Sequence, residues 1–123
     1  MSARKAILVI DDEPVVVAVL RDLLEGEGYE VVSATSGPEG LEVFSESDPD
    51  LVITDMRMPE VTGVDVLEAI RRDSPTVPVI VLSAAASKQA AERVVELDGQ
   101  WIMKPWIDEE LLGSVRELLP GSG

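Results

Sequence analysis

The chain has 123 residues, 46% of them hydrophobic, and a formal net charge of −14 from 24 acidic against 10 basic residues. That length and apolar content suit one domain with one sizeable core and argue against wholesale disorder, while the negative charge repels nucleic-acid backbones and disfavours direct DNA or RNA binding. Cysteine and histidine are both absent, which excludes disulfides, thiol chemistry, the commonest zinc ligands, the usual general base and a phosphohistidine formed on this chain.

Five short apolar runs alternate with amphipathic stretches. The first, AILVI at 6–10, stops at two aspartates and is too short for the apolar region of a signal peptide. No uninterrupted apolar run approaches membrane-spanning length, so a soluble cytoplasmic protein without membrane association is expected. A helix follows, with Pro14 in its first turn, Val16, Leu20, Leu23 and Leu24 on one face, and Gly26 and Gly28 as its stop.

The second strand is EVVSA at 30–34. Its helix opens on Ser36-Gly37-Pro38-Glu39, a capping-box pattern, and directs Leu41 and Phe44 inward. Asp48-Pro49-Asp50 breaks the chain before the third strand, LVITD at 51–55. The third helix is expected from about Gly63, with Val66, Leu67 and Ile70 inward, and ends at Asp73-Ser74-Pro75. VPVIVLS at 77–83 forms the fourth strand. The fourth helix runs from about 87 to 97, with Ala90, Ala91, Val94 and Val95 apolar, and closes at Asp98-Gly99. QWIM at 100–103 is the fifth strand. The last helix carries Ile107, Leu111, Val115 and Leu118 on one stripe and is weakened by Gly113 within it.

Runs one, three and four are almost continuously apolar, as strands buried on both faces should be; the second and fifth suit the sheet edges. Five strand–helix repeats predict an α/β domain over residues 1–119, with a parallel sheet, helices on both faces and right-handed crossovers. Residues 120–123 read as a flexible tail or the start of a linker.

Ligands of an open parallel sheet bind beyond the carboxyl ends of its strands. There the sequence places Asp11, Asp12 and Glu13 after the first strand, Asp55 at the end of the third, Ser83 at the end of the fourth, and Lys104-Pro105 after the fifth. Clustered carboxylates repel one another unless a cation sits among them; magnesium suits carboxylates, a carbonyl and a phosphate oxygen. Lysine supplies a point charge for a phosphoryl group and serine a hydroxyl donor. Asp55 is then a candidate nucleophile, giving an aspartyl phosphate.

This ordered set, with Met58-Pro59 and Gly63 beyond Asp55, resembles the response-regulator receiver domains of bacterial two-component signalling over about residues 5–119. The resemblance implies a flavodoxin-like, doubly wound sheet of order 2-1-3-4-5. It implies that Asp55 takes a phosphoryl group from the phosphohistidine of a sensor histidine kinase or phosphotransfer protein. It further implies magnesium held by Asp11, Asp12, Asp55 and the Arg57 main-chain carbonyl, with Lys104 pairing with the phosphoryl group. Ser83 and Trp101 would be switch residues, Trp101 standing where the family usually carries Tyr or Phe, and the bond before Pro105 would be cis. The face formed by the fourth helix, fifth strand and fifth helix would respond, and could support a homodimer.

Three other functions fit the sequence less well. A magnesium-dependent phosphatase with an aspartyl nucleophile carries a second Asp two residues on, where this chain has Arg57, so turnover of external substrates is not expected. A nucleotide- or flavin-binding domain of similar topology is disfavoured: neither G-x-G-x-x-G nor G-x-x-x-x-G-K-[ST] follows the first strand, and Asp11-Asp12-Glu13 there would repel a phosphate. A degenerate receiver acting as a phosphorylation-independent interaction module is disfavoured by the intact acid set.

Overall fold

Strands that are apolar on both faces need a helical layer on each side, and the chain supplies both. A computed structural model describes residues 4–84 and 87–120. The elements run β1 (Ala6–Ile10), α1 (Pro14–Gly26), β2 (Glu30–Ala34), α2 (Gly37–Ser47), β3 (Leu51–Asp55), α3 (Gly63–Asp73), β4 (Val79–Ser83), α4 (Lys88–Glu96), β5 (Gln100–Met103) and α5 (Asp108–Leu118). All pairings are parallel and the strand order is β2-β1-β3-β4-β5, as expected. The tail expected at 120–123 lies, after Pro120, outside the described residues.

Period-two alternation divides the core. Ile7, Val9, Leu51, Ile53, Ile80 and Leu82 pack with Leu20 and Leu24 of α1 and Leu111 and Val115 of α5. Leu8, Ile10, Val52, Val79 and Val81 turn the other way, toward Phe44 of α2, Val66, Leu67 and Ile70 of α3, and Val94 of α4. The central strands β3 and β4 are buried at every residue, whereas both edge strands retain partial exposure.

Several details depart from the sequence reading. β4 begins at Val79 rather than Val77, because Pro78 has no N–H to give a neighbouring strand. At α2 the Ser36 hydroxyl accepts from the Glu39 N–H at 3.2 Å, but the Glu39 carboxylate reaches the Thr35 N–H at 2.7 Å, so the box is not reciprocal there. The reciprocal box caps α3, between Thr62 and Asp65. Leu41 is only half-buried; Gly37 and Gly40 take the close contacts on that face of α2. Val95 of α4 is 68% exposed and Ile107, before α5, is 60% exposed. Leu112 and Leu119 are buried instead, alongside Leu111 and Val115.

Polar contacts fasten α3 to its neighbours. Arg71 donates to the carbonyls of Val77 at 2.6 Å, Leu97 at 2.7 Å, and Ser74 and Asp98 at 3.3 Å each. One guanidinium thereby joins the last turn of α3, the approach to β4 and the end of α4. Its pKa is lowered by burial, against the opposing pull of Asp98. Arg71→Ala leaves these carbonyls without their charged donor and is expected to lower stability by about 2 kcal/mol, read from urea denaturation.

Candidate functional site

The register brings the carboxylates together. Ile10 pairs with Thr54, so the residues that follow, Asp11 and Asp55, stand level at the carboxyl ends of adjacent strands. Neighbouring strands lie about 4.8 Å apart, close enough for facing carboxylates to share one cation. Asp55 in turn pairs with Leu82, one residue before Ser83, and Ser83 pairs with Met103, one residue before Lys104. Four strands thus deliver the predicted groups to a single edge.

Asp11, Asp55 and Ser83 are buried, and Asp12 is exposed at the rim. One carboxylate oxygen from each of Asp11, Asp12 and Asp55 lies within 4.8 Å of the others. The Lys104 ammonium lies 2.8 Å from Asp55 Oδ1 and 3.2 Å from Asp11 Oδ2. Asp11 Oδ1 accepts from the Glu13 N–H at 2.9 Å, an Asx turn that orients the carboxylate without using the Glu13 side chain. The D-D-E sequence after an apolar run was the available signal for this turn. The Lys104 N–H bonds to the Ser83 carbonyl at 2.8 Å, and the Lys104–Pro105 bond is cis as expected.

Burial pushes the Asp11 carboxyl above its usual range, helped by the Asp55 charge and opposed by the Glu13 N–H and Lys104. For Lys104, burial pulls downward, but bonding and charge from Asp55 and Asp11 outweigh it and the pKa is raised. One ammonium against three acids leaves an excess of negative charge at oxygen donors. A hard divalent cation fits that donor set, and Asp11, Asp12 and Asp55 are the side chains that would hold it.

Gly63 sets the approach behind the nucleophile. Its N–H donates to the Met56 carbonyl at 2.9 Å, and a Cβ on Gly63 would lie 2.6 Å from the Asp55 carbonyl oxygen. Arg57 is exposed, in the loop just beyond Asp55. Trp101 pairs with Val81, two residues before Ser83, and packs half-buried against the α2–α3–α4 core. Trp106, beside Lys104, packs instead against the α1–α5 core, and its indole N–H donates to Asp108 at 3.0 Å.

A parallel sheet of this order, with buried acids and a lysine converging at its carboxyl edge, defines a receiver. The response regulator receiver domain family matches residues 7–116. The chain belongs to that family. It is 39% identical to the transcriptional regulatory protein KdpE of Mycobacterium tuberculosis over 113 residues, covering 89% of this chain and 49% of the relative. Identity is 36% over 116 residues to the transcriptional regulatory protein CpxR of Escherichia coli, covering 92% and 48%. The chain therefore spans about half the length of the curated relatives it matches. Among solved structures, a response regulator receiver domain protein from Clostridium thermocellum superposes with a TM-score of 0.89 at 34% identity, covering 94% of each chain. The chemotaxis protein CheY4 of Vibrio cholerae superposes with a TM-score of 0.87 at 27% identity, covering 94% of this chain and 99% of that one. Among the described residues, no helix is long and apolar enough to cross a membrane.

Proposed function

We propose that the chain is a phosphoacceptor switch in which Asp55 receives one phosphoryl group from the phosphohistidine of a sensor histidine kinase or phosphotransfer protein. The observation that carries this reading is the 2.8 Å contact between Lys104 and a buried Asp55 that stands level with Asp11. An Asp55 oxygen forms the new P–O bond as the donor's P–N bond breaks, and the imidazole leaves. Lys104 already sits against the attacking carboxylate and is placed to follow the negative charge onto the incoming phosphoryl oxygens. Ser83, buried one strand away, supplies a hydroxyl to the same group. Magnesium, held by Asp11, Asp12, Asp55 and the Arg57 carbonyl, would supply further charge neutralisation for the phosphoryl oxygens.

The downstream face comprises α4, β5 and α5, with Ser83 and Trp101 as the relay; a homodimer on that face is one outlet. Several relatives are named transcriptional regulators, which supports a regulatory output, while a net charge of −14 argues that this domain does not itself grip DNA. The same chemistry suits a cytoplasmic signalling domain that catalyses only its own phosphorylation and dephosphorylation. A phosphorylation-independent interaction module has no need of the buried Asp11–Lys104–Asp55 contacts.

Incubation with phosphoramidate or acetyl phosphate and magnesium is expected to add one phosphoryl group to the intact mass. No gain, or a gain that persists in Asp55→Ala, overturns the proposal. Unchanged hydrogen exchange over α4, β5 and α5 on phosphorylation would remove the switching half of it.

A further inference from the structure

Thr54 is the polar member of an apolar row. The register aligns Ala34, Ile10, Thr54, Val81 and Trp101 across the sheet, on the side that faces α2, α3 and α4. The others pack in or against that core, and Thr54 is 0% exposed among them. A buried hydroxyl costs free energy that a valine of nearly the same shape does not, so burial and strand propensity alone favour Val here. The hydroxyl has a specific partner: it donates to the Asp55 carbonyl at 3.0 Å. The peptide that follows Asp55 is thereby held at both ends, because the Met56 N–H donates to the Leu82 carbonyl at 2.8 Å. Gly63 closes off another side of the same carbonyl, where an added Cβ would come within 2.6 Å of the oxygen.

From this arrangement we infer that Thr54 is a positioning residue for phosphoryl transfer: its hydroxyl fixes the Asp55–Met56 peptide, and with it the direction in which the Asp55 carboxylate leaves β3. The inference rests on the phosphoacceptor reading of Asp55. Successive side chains of a strand point to opposite faces, so Thr54 turns away from the Lys104 and Asp11 side of the sheet and acts through the main chain. β3 ends at Asp55, so the peptide beyond it lacks the regular ladder that fixes those before it, and the hydroxyl supplies a bond in its place. Rotation of that peptide would swing the Asp55 side chain relative to the Lys104 ammonium, now 2.8 Å away, and would carry the chain toward Arg57 with it. In-line attack on phosphorus tolerates little misalignment, so a small swing is felt in the rate and hardly in folding. A strand position that gives up stability to keep a hydroxyl is the kind of local exception that function maintains.

Thr54→Val and Thr54→Ser separate the hydroxyl from the packing. For each, phosphorylation from phosphoramidate at saturating magnesium is followed by intact mass against time, and stability by urea denaturation. Thr54→Val is expected to match or exceed the parent's urea midpoint, having no hydroxyl to bury, yet to phosphorylate roughly five- to thirtyfold more slowly. Thr54→Ser loses a buried methyl group and should be the less stable variant, yet keep the parent's rate within about twofold. Rate and stability then rank in opposite orders, which a purely structural role does not produce. If Thr54→Val does not fold, Thr54→Ala against Thr54→Ser gives the same contrast, since those two differ by the hydroxyl alone. A Thr54→Val rate equal to the parent's, or rates that follow stability across the series, overturn the positioning role and leave Asp55 as the acceptor. Absence of any mass gain in the parent chain under the same conditions overturns the phosphoacceptor reading and this inference together.

Discussion

Asp11→Asn is expected to stabilise the metal-free protein by about 1–2 kcal/mol while cutting magnesium-dependent phosphorylation on the order of 100-fold. Asp11 is 1% exposed, and its carboxyl is pushed upward first by burial and then by the Asp55 charge. The substitution removes that charge but keeps an acceptor for the Glu13 N–H, and Lys104 keeps Asp55 as its partner at 2.8 Å. The pH dependence carries the same sign. A carboxyl whose folded pKa lies above its unfolded value binds its proton more readily in the folded state. Metal-free stability therefore gains a contribution as pH falls through the raised folded pKa, and that contribution is absent at higher pH. In Asp11→Asn the pH-dependent gain disappears. Magnesium should reverse the ranking, since binding to the folded state stabilises the parent chain by mass action. Urea denaturation of both proteins, with and without magnesium, reads every part of this; a variant less stable than the parent in the absence of metal would refute it.

Gly63→Ala is expected to cost about 2–3 kcal/mol and to slow phosphorylation roughly tenfold or more. The added Cβ would meet the Asp55 carbonyl oxygen at 2.6 Å and the Met56 Cα at 2.9 Å. These are backbone atoms and cannot swing aside as the end of a flexible side chain can. Relief must come from moving the start of α3 or the end of β3, and the latter carries the nucleophile. Gly113→Ala is the control: nothing lies within 4 Å of its added methyl group, so the same change in the middle of α5 should stabilise by about 1 kcal/mol. Opposite signs in thermal or urea midpoints, with phosphorylation impaired only at position 63, are the expected result. A stable, fully active Gly63→Ala protein would show that the loop yields freely.

The strands were legible because burial on two faces leaves a continuous apolar run, and AILVI, LVITD and VIVLS need no distant information to be recognised. Asp11, Asp55, Ser83 and Lys104 were legible because a parallel sheet turns strand ends into neighbours. What escaped the sequence depends on partners far along the chain. Arg71 stands in the last turn of α3, yet it binds carbonyls 26 and 27 residues away. Arg93 of α4 likewise meets Glu68 of α3 at 2.7 Å, a contact without local periodicity. Val95 was counted with the apolar residues of the fourth helix and Ile107 with the stripe of the last, but Val95 is exposed and Ile107 is an exposed residue standing before α5 rather than in it.

The anchoring of α4 has a consequence for where the molecule is soft. Val94 is the helix's one buried side chain, with Ala90 and Leu97 packed partly buried beside it; polar ties run through Arg93 to Glu68 and through Arg71 to the carbonyls at the helix end. Hydrophobic burial does not come apart by degrees, but polar clasps on half-exposed surfaces exchange readily with water and weaken in salt. Of the five helices, α4 is therefore the one whose departure demands least of the remaining fold. Its amides should exchange first, and should do so faster as ionic strength rises, while the sheet beneath keeps its protection.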